Sequence, residues 1–231
     1  MKEYFISFRQ NRLKHAYIFL YPIIYMIFFV LLEKNIEPRY IIEFKPDNYI
    51  PFCEYFIIPY FLWFAYVAVT VAIFYFFLDI GDFYRMTCYL FTGMTVFLSV
   101  SYIIPNGLEL RPTSFPRDNI FTDMVKGLYA TDTSTNVFPS IHVFNSICVH
   151  VAIAKNEVIK KKPFIVNSSF VLMTLIILST MFLKQHSILD VISGIGLAII
   201  LYPIFYIYNF IPYRKQYTLE KCSENNIVFQ N

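Results

Sequence analysis

The stretch FIIPYFLWFAYVAVTVAIFYFFL, Phe56–Leu78, decides the class of this protein. It contains no charged side chain and no polar stripe. A helix that is apolar all round has no face for water, so it belongs in a large core or in a bilayer. The stretch also has the length to cross a hydrocarbon layer of about 30 Å, which takes about 20 apolar residues. Working outward, Ala16–Leu32, Met86–Ile104, Phe164–Leu183 and Ile188–Ile211 have the same character. A shorter run, Ile141–Ala154, is interrupted by His142, Asn145 and His150. The whole chain agrees: 57% of its 231 residues are hydrophobic and 15% charged, against about 45–50% and about 25% in soluble domains. Disorder, a coiled coil and a collagen-like rod are excluded. The net charge of +3 is small and dispersed, so no nucleic-acid partner is expected. The expected fold is all-α: a polytopic membrane helix bundle forming one integral membrane domain over residues 1–231.

Counting Ile141–Ala154 as a span gives six transmembrane helices, at about 16–32, 56–78, 86–104, 141–154, 164–183 and 188–211, and places both termini on one side. Lys2, Arg9, Arg12, Lys14, Arg85, Lys155, Lys160, Lys161, Lys162, Arg214, Lys215 and Lys221 then share that side, twelve of the nineteen basic residues. The positive-inside rule makes it cytoplasmic. Five spans would carry Arg214, Lys215 and Lys221 to the opposite face. The first span is longer than a signal-peptide core and runs into Leu31-Leu32-Glu33 with no small-residue cleavage site, so it is expected to stay. Cys53, Cys88, Cys148 and Cys222 lack metal-ligand spacing and read as unpaired. The tail after Tyr213 turns polar.

Two outward segments stand out. Glu33–Tyr55, with Pro38, Pro46 and Pro51 among aromatic residues, is expected along the headgroup region. Pro105–Pro139 contains Ile120, Phe121, Met124, Val125 and Leu128 at helical spacing, with Asp118, Asp123 and Lys126 off that stripe. This is an outer amphipathic helix, lying on the membrane or packed on the protein's own spans.

Ionisable residues at a membrane edge are costly and point to function. Here Arg111, His142, Lys184, His186 and Asp190 all fall at outward ends. In Asn136-Val137-Phe138-Pro139-Ser140-Ile141-His142, Pro139 suits the first position of a helix. The free N–H groups behind it and the Ser140 hydroxyl make an anion site, with His142 one turn in. His186 and Asp190 are four apart and share a helix face. A carboxylate on one ring nitrogen fixes the tautomer and makes the other nitrogen a better nucleophile. Ser187-x-x-Asp190 is also a capping box, which accounts for Asp190 but not for Lys184 and His186 beside it. His150, two turns below His142, reads as a satisfied bundle histidine.

The ordered set Arg111-Pro112, Pro139-Ser140-Ile141-His142 and Ser179-Thr180-x5-His186-x3-Asp190 resembles the three motifs of the phosphatidic acid phosphatase type 2 superfamily, across roughly residues 50–211. The resemblance implies that His186 attacks phosphorus and carries a transient phosphohistidine, that Asp190 orients it, and that His142 protonates the leaving oxygen. Arg111, Ser140 and the helix-end N–H groups would bind phosphate oxygens, with no metal or cofactor. Three positions depart from the family pattern: Ile104 stands for a Lys, Thr180 for an Arg and Ile141 for a Gly. Lys184, and less directly Lys126, are the cations in this chain to replace those missing. Asp132 and Asn136 are expected to support the turn ahead of Ser140. The Phe-Pro-Ser-aliphatic-His form is more similar to the branch that includes fungal inositol phosphorylceramide synthases, which transfer a phospho-headgroup between lipids.

The expectation is therefore a metal-independent lipid phosphatase in a bacterial cell membrane, with cytoplasmic termini, an outward-facing site and a lipid phosphate as substrate. The alternatives are a lipid headgroup phosphotransferase using the same His-His-Asp set, and a non-catalytic membrane protein that retains the pocket.

Overall fold

The computed structural model describes residues 12–42 and 44–208. Lys2, Arg9, the end of the Ile188–Ile211 stretch, the polar tail after Tyr213, Arg214, Lys215, Lys221 and Cys222 lie outside the described residues.

The described chain is mostly helical. Its α-helices are α1 (Leu20–Asn35), α2 (Ile57–Phe77), α3 (Ile80–Ile103), α4 (Ile120–Thr131), α5 (Ile141–Lys155), α6 (Pro163–Phe182) and α7 (Ile188–Tyr202). With their flanking turns, α1, α2, α3, α6 and α7 are long and apolar enough to cross a membrane, while α5 is a shorter apolar helix. The third apolar stretch begins earlier than expected, at Ile80 instead of Met86. The side chain of Asp79 caps this helix by accepting from the Gly81 N–H at 2.8 Å. Asp82 and Arg85, which broke the hydropathy, pair at 2.9 Å within its first turns. Asp82 also takes the Asn156 amide at 2.9 Å.

Helix α5 is the axle of the bundle, packed against α2, α3, α6 and α7. Val143, Phe144, Cys148, Val149, Ala152 and Ile153 are buried along it, together with Asn145 and Ser146. Its 15 residues rise only about 22 Å at 1.5 Å per residue. A helix walled by other helices can be short and carry polar groups, because protein satisfies them there. His150 is such a case: its Nδ1 lies 3.1 Å from the Ser169 hydroxyl, which also meets the Tyr66 hydroxyl at 2.6 Å.

Two glycines set how closely the helices approach α5. A Cβ on Gly93 would lie 2.0 Å from the Phe144 ring, and one on Gly194 would lie 2.7 Å from the Ser140 carbonyl oxygen. Small residues at such crossings let backbones meet. The Gly194 contact brings the N-terminal ends of α5 and α7 together. Gly194→Val should force α7 off Ser140 and lower stability by about 2 kcal/mol, read as a depressed thermal unfolding transition in detergent.

The fold is not purely helical. Strand β1 (Tyr40–Ile41) pairs in parallel with β2 (Asn106–Gly107), joining the segments that follow α1 and α3. The segment between α1 and α2 carries local structure of its own. It folds back over the bundle end through β1 and 3-10 turns at Lys45–Tyr49 and Glu54–Phe56.

Helix α4 forms as its periodicity predicts, capped by Asn119, whose side chain accepts from the N–H groups of Phe121 and Thr122 at 3.0 Å each. Its buried face differs from the expected stripe. Thr122, Val125 and Leu128 are buried, and Ile120 is 70% exposed. Val125 and Leu128 pack on Ile57, Tyr60 and Leu183, so α4 sits on the protein's own helices. Thr122 goes inward because its hydroxyl finds the Arg117 carbonyl at 3.0 Å.

Candidate functional site

The site is assembled where the starts of α2, α5 and α7, the end of α6 and helix α4 converge. Three loops deliver its side chains. The first precedes α5. The Asn106 side-chain oxygen accepts from the N–H groups of Val137 and Phe138 at 2.8 and 2.9 Å, and its carbonyl accepts from Asn136 at 2.7 Å. Asn136 turns there with φ 54°, the left-handed region that Asn tolerates better than most residues. Asn106, absent from the sequence reading, is the anchor that Asn136 and Asp132 were expected to provide.

Pro139 stands ahead of the helix, after a cis Phe138–Pro139 bond, instead of at its first position. Ser140 is the N-cap, and its hydroxyl oxygen accepts from the Val143 N–H at 3.5 Å. The buried Ser140 N–H donates to the Asp190 carbonyl at 3.1 Å, so Ser140 joins α5 to α7. The N–H groups of Ile141 and His142 remain at this helix end, where a helix has no internal acceptor for them.

The second loop runs from Leu183 to Ser187. The N–H groups of Gln185 and His186 both donate to the Thr180 carbonyl, at 2.9 and 3.0 Å, and Lys184 lies at φ 54°. This tight turn presents His186 toward α5. His186 Nε2 lies 3.4 Å from His142 Nδ1. His186 Nδ1 lies 3.5 Å from Asp190 Oδ2, longer than a good hydrogen bond. The same Oδ2 accepts from the Ser187 N–H at 2.8 Å. The capping box is real, and Asp190 serves the cap and faces His186 at once. Asp190 is fully buried, and its Oδ1 has no hydrogen-bond partner among the described residues.

The His142 ring is held on its other side by aromatic residues of α2, with ring centroids at 4.3 Å for Trp63 and 4.9 Å for Tyr60. The Tyr60 hydroxyl donates to Asp132 Oδ2 at 3.1 Å. Burial pushes the Asp132 carboxyl above its ordinary range, although Tyr60, Arg111 and His186 all favour its charged form. Tyr60 and Trp63 carried no sequence signal that separates them from the other aromatic residues of that helix.

The third loop brings in Arg111. Its Nη2 donates to Gln185 Oε1 at 2.6 Å and its Nη1 to the Tyr129 carbonyl at 3.2 Å. The guanidinium stacks on the Tyr129 ring, 4.5 Å from its centroid. Tyr129 is fixed in turn by donating to the Leu183 carbonyl at 2.6 Å. Helix α4 thus supplies the platform for the arginine.

The two candidate replacement cations are placed elsewhere. Lys184 is buried, and its ammonium donates to the Asp47 carbonyl at 2.7 Å. Burial pushes it below the ordinary lysine range, against the pull of Asp47. Lys126 is half exposed on α4 and pairs with Asp123 at 2.9 Å and Asp118 at 3.4 Å. Their carboxylates attract it outward, and it touches none of the histidines. Thr180 adds no donor to the site, because its hydroxyl bonds the Ile177 carbonyl at 2.7 Å.

Asp47 is the largest omission of the sequence reading. It is 1% exposed. Its Oδ2 accepts the Ser187 hydroxyl at 2.6 Å and its Oδ1 the Ile188 N–H at 2.8 Å. A carboxylate at a helix N-terminus is favourable for both its hydrogen bonds and the helix dipole. No local pattern marks it, since its partners lie 140 positions away.

Among the described residues, no group of three His, Cys, Asp or Glu side chains is arranged to hold a metal ion. The site gathers two imidazoles, the carboxylates of Asp190 and Asp132 and one guanidinium, a set suited to moving a proton and neutralising an anion. Comparisons of the chain with protein-family models, with curated proteins and with solved structures yield no match.

Proposed function

We propose that this protein is a membrane-embedded phosphatase acting on a lipid phosphate, of the phosphatidic acid phosphatase type 2 kind. The observation that carries this reading is the meeting of His142, His186, Asp190 and Arg111 at one end of a bundle of apolar helices, from three separate segments. Phosphoryl transfer asks mainly for positioning and for neutralisation of charge on the equatorial oxygens. Arg111 and the N–H groups at the start of α5 supply that neutralisation.

In the proposed reaction, His186 Nε2 forms a bond to phosphorus as the bond from phosphorus to the lipid oxygen breaks. That oxygen takes a proton from His142. Asp190 holds the proton on His186 Nδ1 and stabilises the charge that develops on the ring. Water then attacks the phosphohistidine, its proton passes to His142, and the nitrogen–phosphorus bond breaks. An attacking nitrogen sits about 3–3.5 Å from its target, and a general acid sits about 2.6–3.2 Å from the oxygen it protonates. The facing nitrogens of the two rings are 3.4 Å apart, so the entering phosphoryl group has to part them. His186 sits on a turn fixed by two backbone hydrogen bonds to the Thr180 carbonyl, so His142, packed against the tilted rings of Trp63 and Tyr60, is the ring that moves.

Six spans, counting α5, complete the proposal, with the histidines facing outward. In support, Arg12, Lys14, Arg85, Lys155, Lys160, Lys161 and Lys162 all belong to loops and helix ends opposite the histidines, and positive charge favours the cytoplasmic side. A bacterial cell membrane is the proposed setting. Headgroup transfer to a lipid alcohol is the second reading, favoured by Ile141 and Thr180, which depart from the hydrolase pattern. Purified protein, offered a panel of labelled lipid phosphates and diphosphates in excess chelator, should release inorganic phosphate at an undiminished rate. Label appearing only on an acceptor lipid would establish transfer. No turnover of any lipid phosphate would remove both.

A further inference from the structure

Gln185 lies beside the nucleophile and is 4% exposed. Its oxygen faces Arg111 Nη2 at 2.6 Å. Arginine is donor-only, so the amide cannot be turned over without setting two donors against each other. The NH2 group is therefore fixed on the far side from Nη2. There it has no hydrogen-bond partner among the described residues, and neither does the buried Nε of Arg111. Buried polar groups are almost always satisfied. Two unmatched donors on side chains that are bonded to each other, next to His186, describe a receptor for an anion.

We propose that Gln185 is a phosphate-binding residue, forming with Arg111 a two-donor cradle for the substrate's phosphoryl oxygens. The proposal deepens the phosphatase reading and rests on it. Arg111 provides the charge, and the Gln185 amide provides the donor that Thr180 does not. The pair comes prepared, because Arg111 is already held by the Tyr129 carbonyl and ring. A preset arrangement loses little freedom when the anion enters.

The test is binding of tungstate, a phosphate-shaped anion, to the full-length protein in detergent at constant ionic strength. Calorimetry reads the affinity. Emission of Trp63, the single tryptophan, reads the site directly through its contact with His142. Gln185→Glu keeps the shape and the oxygen that accepts from Arg111 but replaces the NH2 donor by a charged acceptor. Gln185→Met removes both. Each should weaken tungstate binding at least about tenfold, the effect of losing one hydrogen bond to a charged group, with the thermal transition unchanged. Gln185→Met should weaken it further in an Arg111→Met background. Wild-type affinity in Gln185→Glu would overturn the proposal, since Gln185 would then serve only to hold Arg111. So would the absence of any added effect in the double variant. If Gln185→Met unfolds, the uncharged Gln185→Leu replaces it, because the charge of Gln185→Glu itself repels an anion. Failure of the wild-type protein to bind tungstate would overturn the phosphatase reading itself, whereas tungstate binding that ignores Gln185 would overturn only this inference.

Discussion

Replacing His186 by alanine should reduce phosphate release to below about one part in 10⁴ of the parent rate, the scale on which nucleophilic catalysis fails when its reacting group is removed. His142→Ala should behave differently, and the difference identifies the roles. A general acid contributes about 10²–10⁴-fold, but only when the leaving oxygen needs a proton. With an alkyl phosphate the His142→Ala rate should fall by that amount. With p-nitrophenyl phosphate, whose leaving group departs as an anion, most of the rate should return. His186→Ala should show no such recovery. Rates for both substrates and both variants, measured side by side, check the assignment. Equal recovery in the two variants would show that the histidines do not divide the work in this way.

Asp47→Ala should be the most damaging change outside the histidines. The substitution strips the Ser187 hydroxyl and the Ile188 N–H of their acceptor at the buried start of α7. Removing one partner of a buried charged contact typically costs about 3–5 kcal/mol, and about 3 kcal/mol is expected here. A second consequence follows from competition. Asp190 divides itself between the Ser187 N–H at 2.8 Å and His186 Nδ1 at 3.5 Å. Without Asp47 it becomes the sole carboxylate at that helix end and is drawn further into the cap, away from His186. Activity should therefore fall at least about tenfold even where the protein remains folded, by the loss of one charge-assisted contact. Asp47→Asn, which keeps an oxygen acceptor, should restore most of the stability. Thermal unfolding in detergent together with turnover of all three proteins provides the measurement. A wild-type transition in Asp47→Ala would show that the strap at residues 45–49 does not hold the histidine turn.

Much of the candidate site was legible because its residues fall within two short segments with strong local rules. Ser140 and His142 are tied by the start of a helix, whereas His186 lies in the turn ahead of α7 and does not share a helix face with Asp190 as the spacing suggested. Arg111 was legible only in company, as an arginine ahead of both. The residues that escaped notice act over long separations. Asn106 holds a loop some thirty positions later, Asp47 grips the start of α7, and Tyr60 and Trp63 face His142 across the bundle. Lys184 shows the reverse error. Its position beside His186 suggested a phosphate ligand, but the left-handed turn at that residue and the buried Asp47 direct its ammonium to the strap. Proximity in sequence says nothing about the direction a side chain takes from a tight turn.

The apolar class of this protein and its helical content were determined by sequence alone, because hydropathy and helical periodicity act through neighbours within a few residues. The tertiary structure decided that the shorter apolar helix α5, interrupted by His142, Asn145 and His150, sits at the centre, where protein satisfies its polar groups. It also decided that α4 packs on the bundle and supports Arg111, and that Gln185, a neutral residue without a sequence signal, holds a buried donor next to His186. These depend on which helix ends meet, which is set by close contacts such as Gly194 on Ser140 and by hydrogen bonds between distant segments.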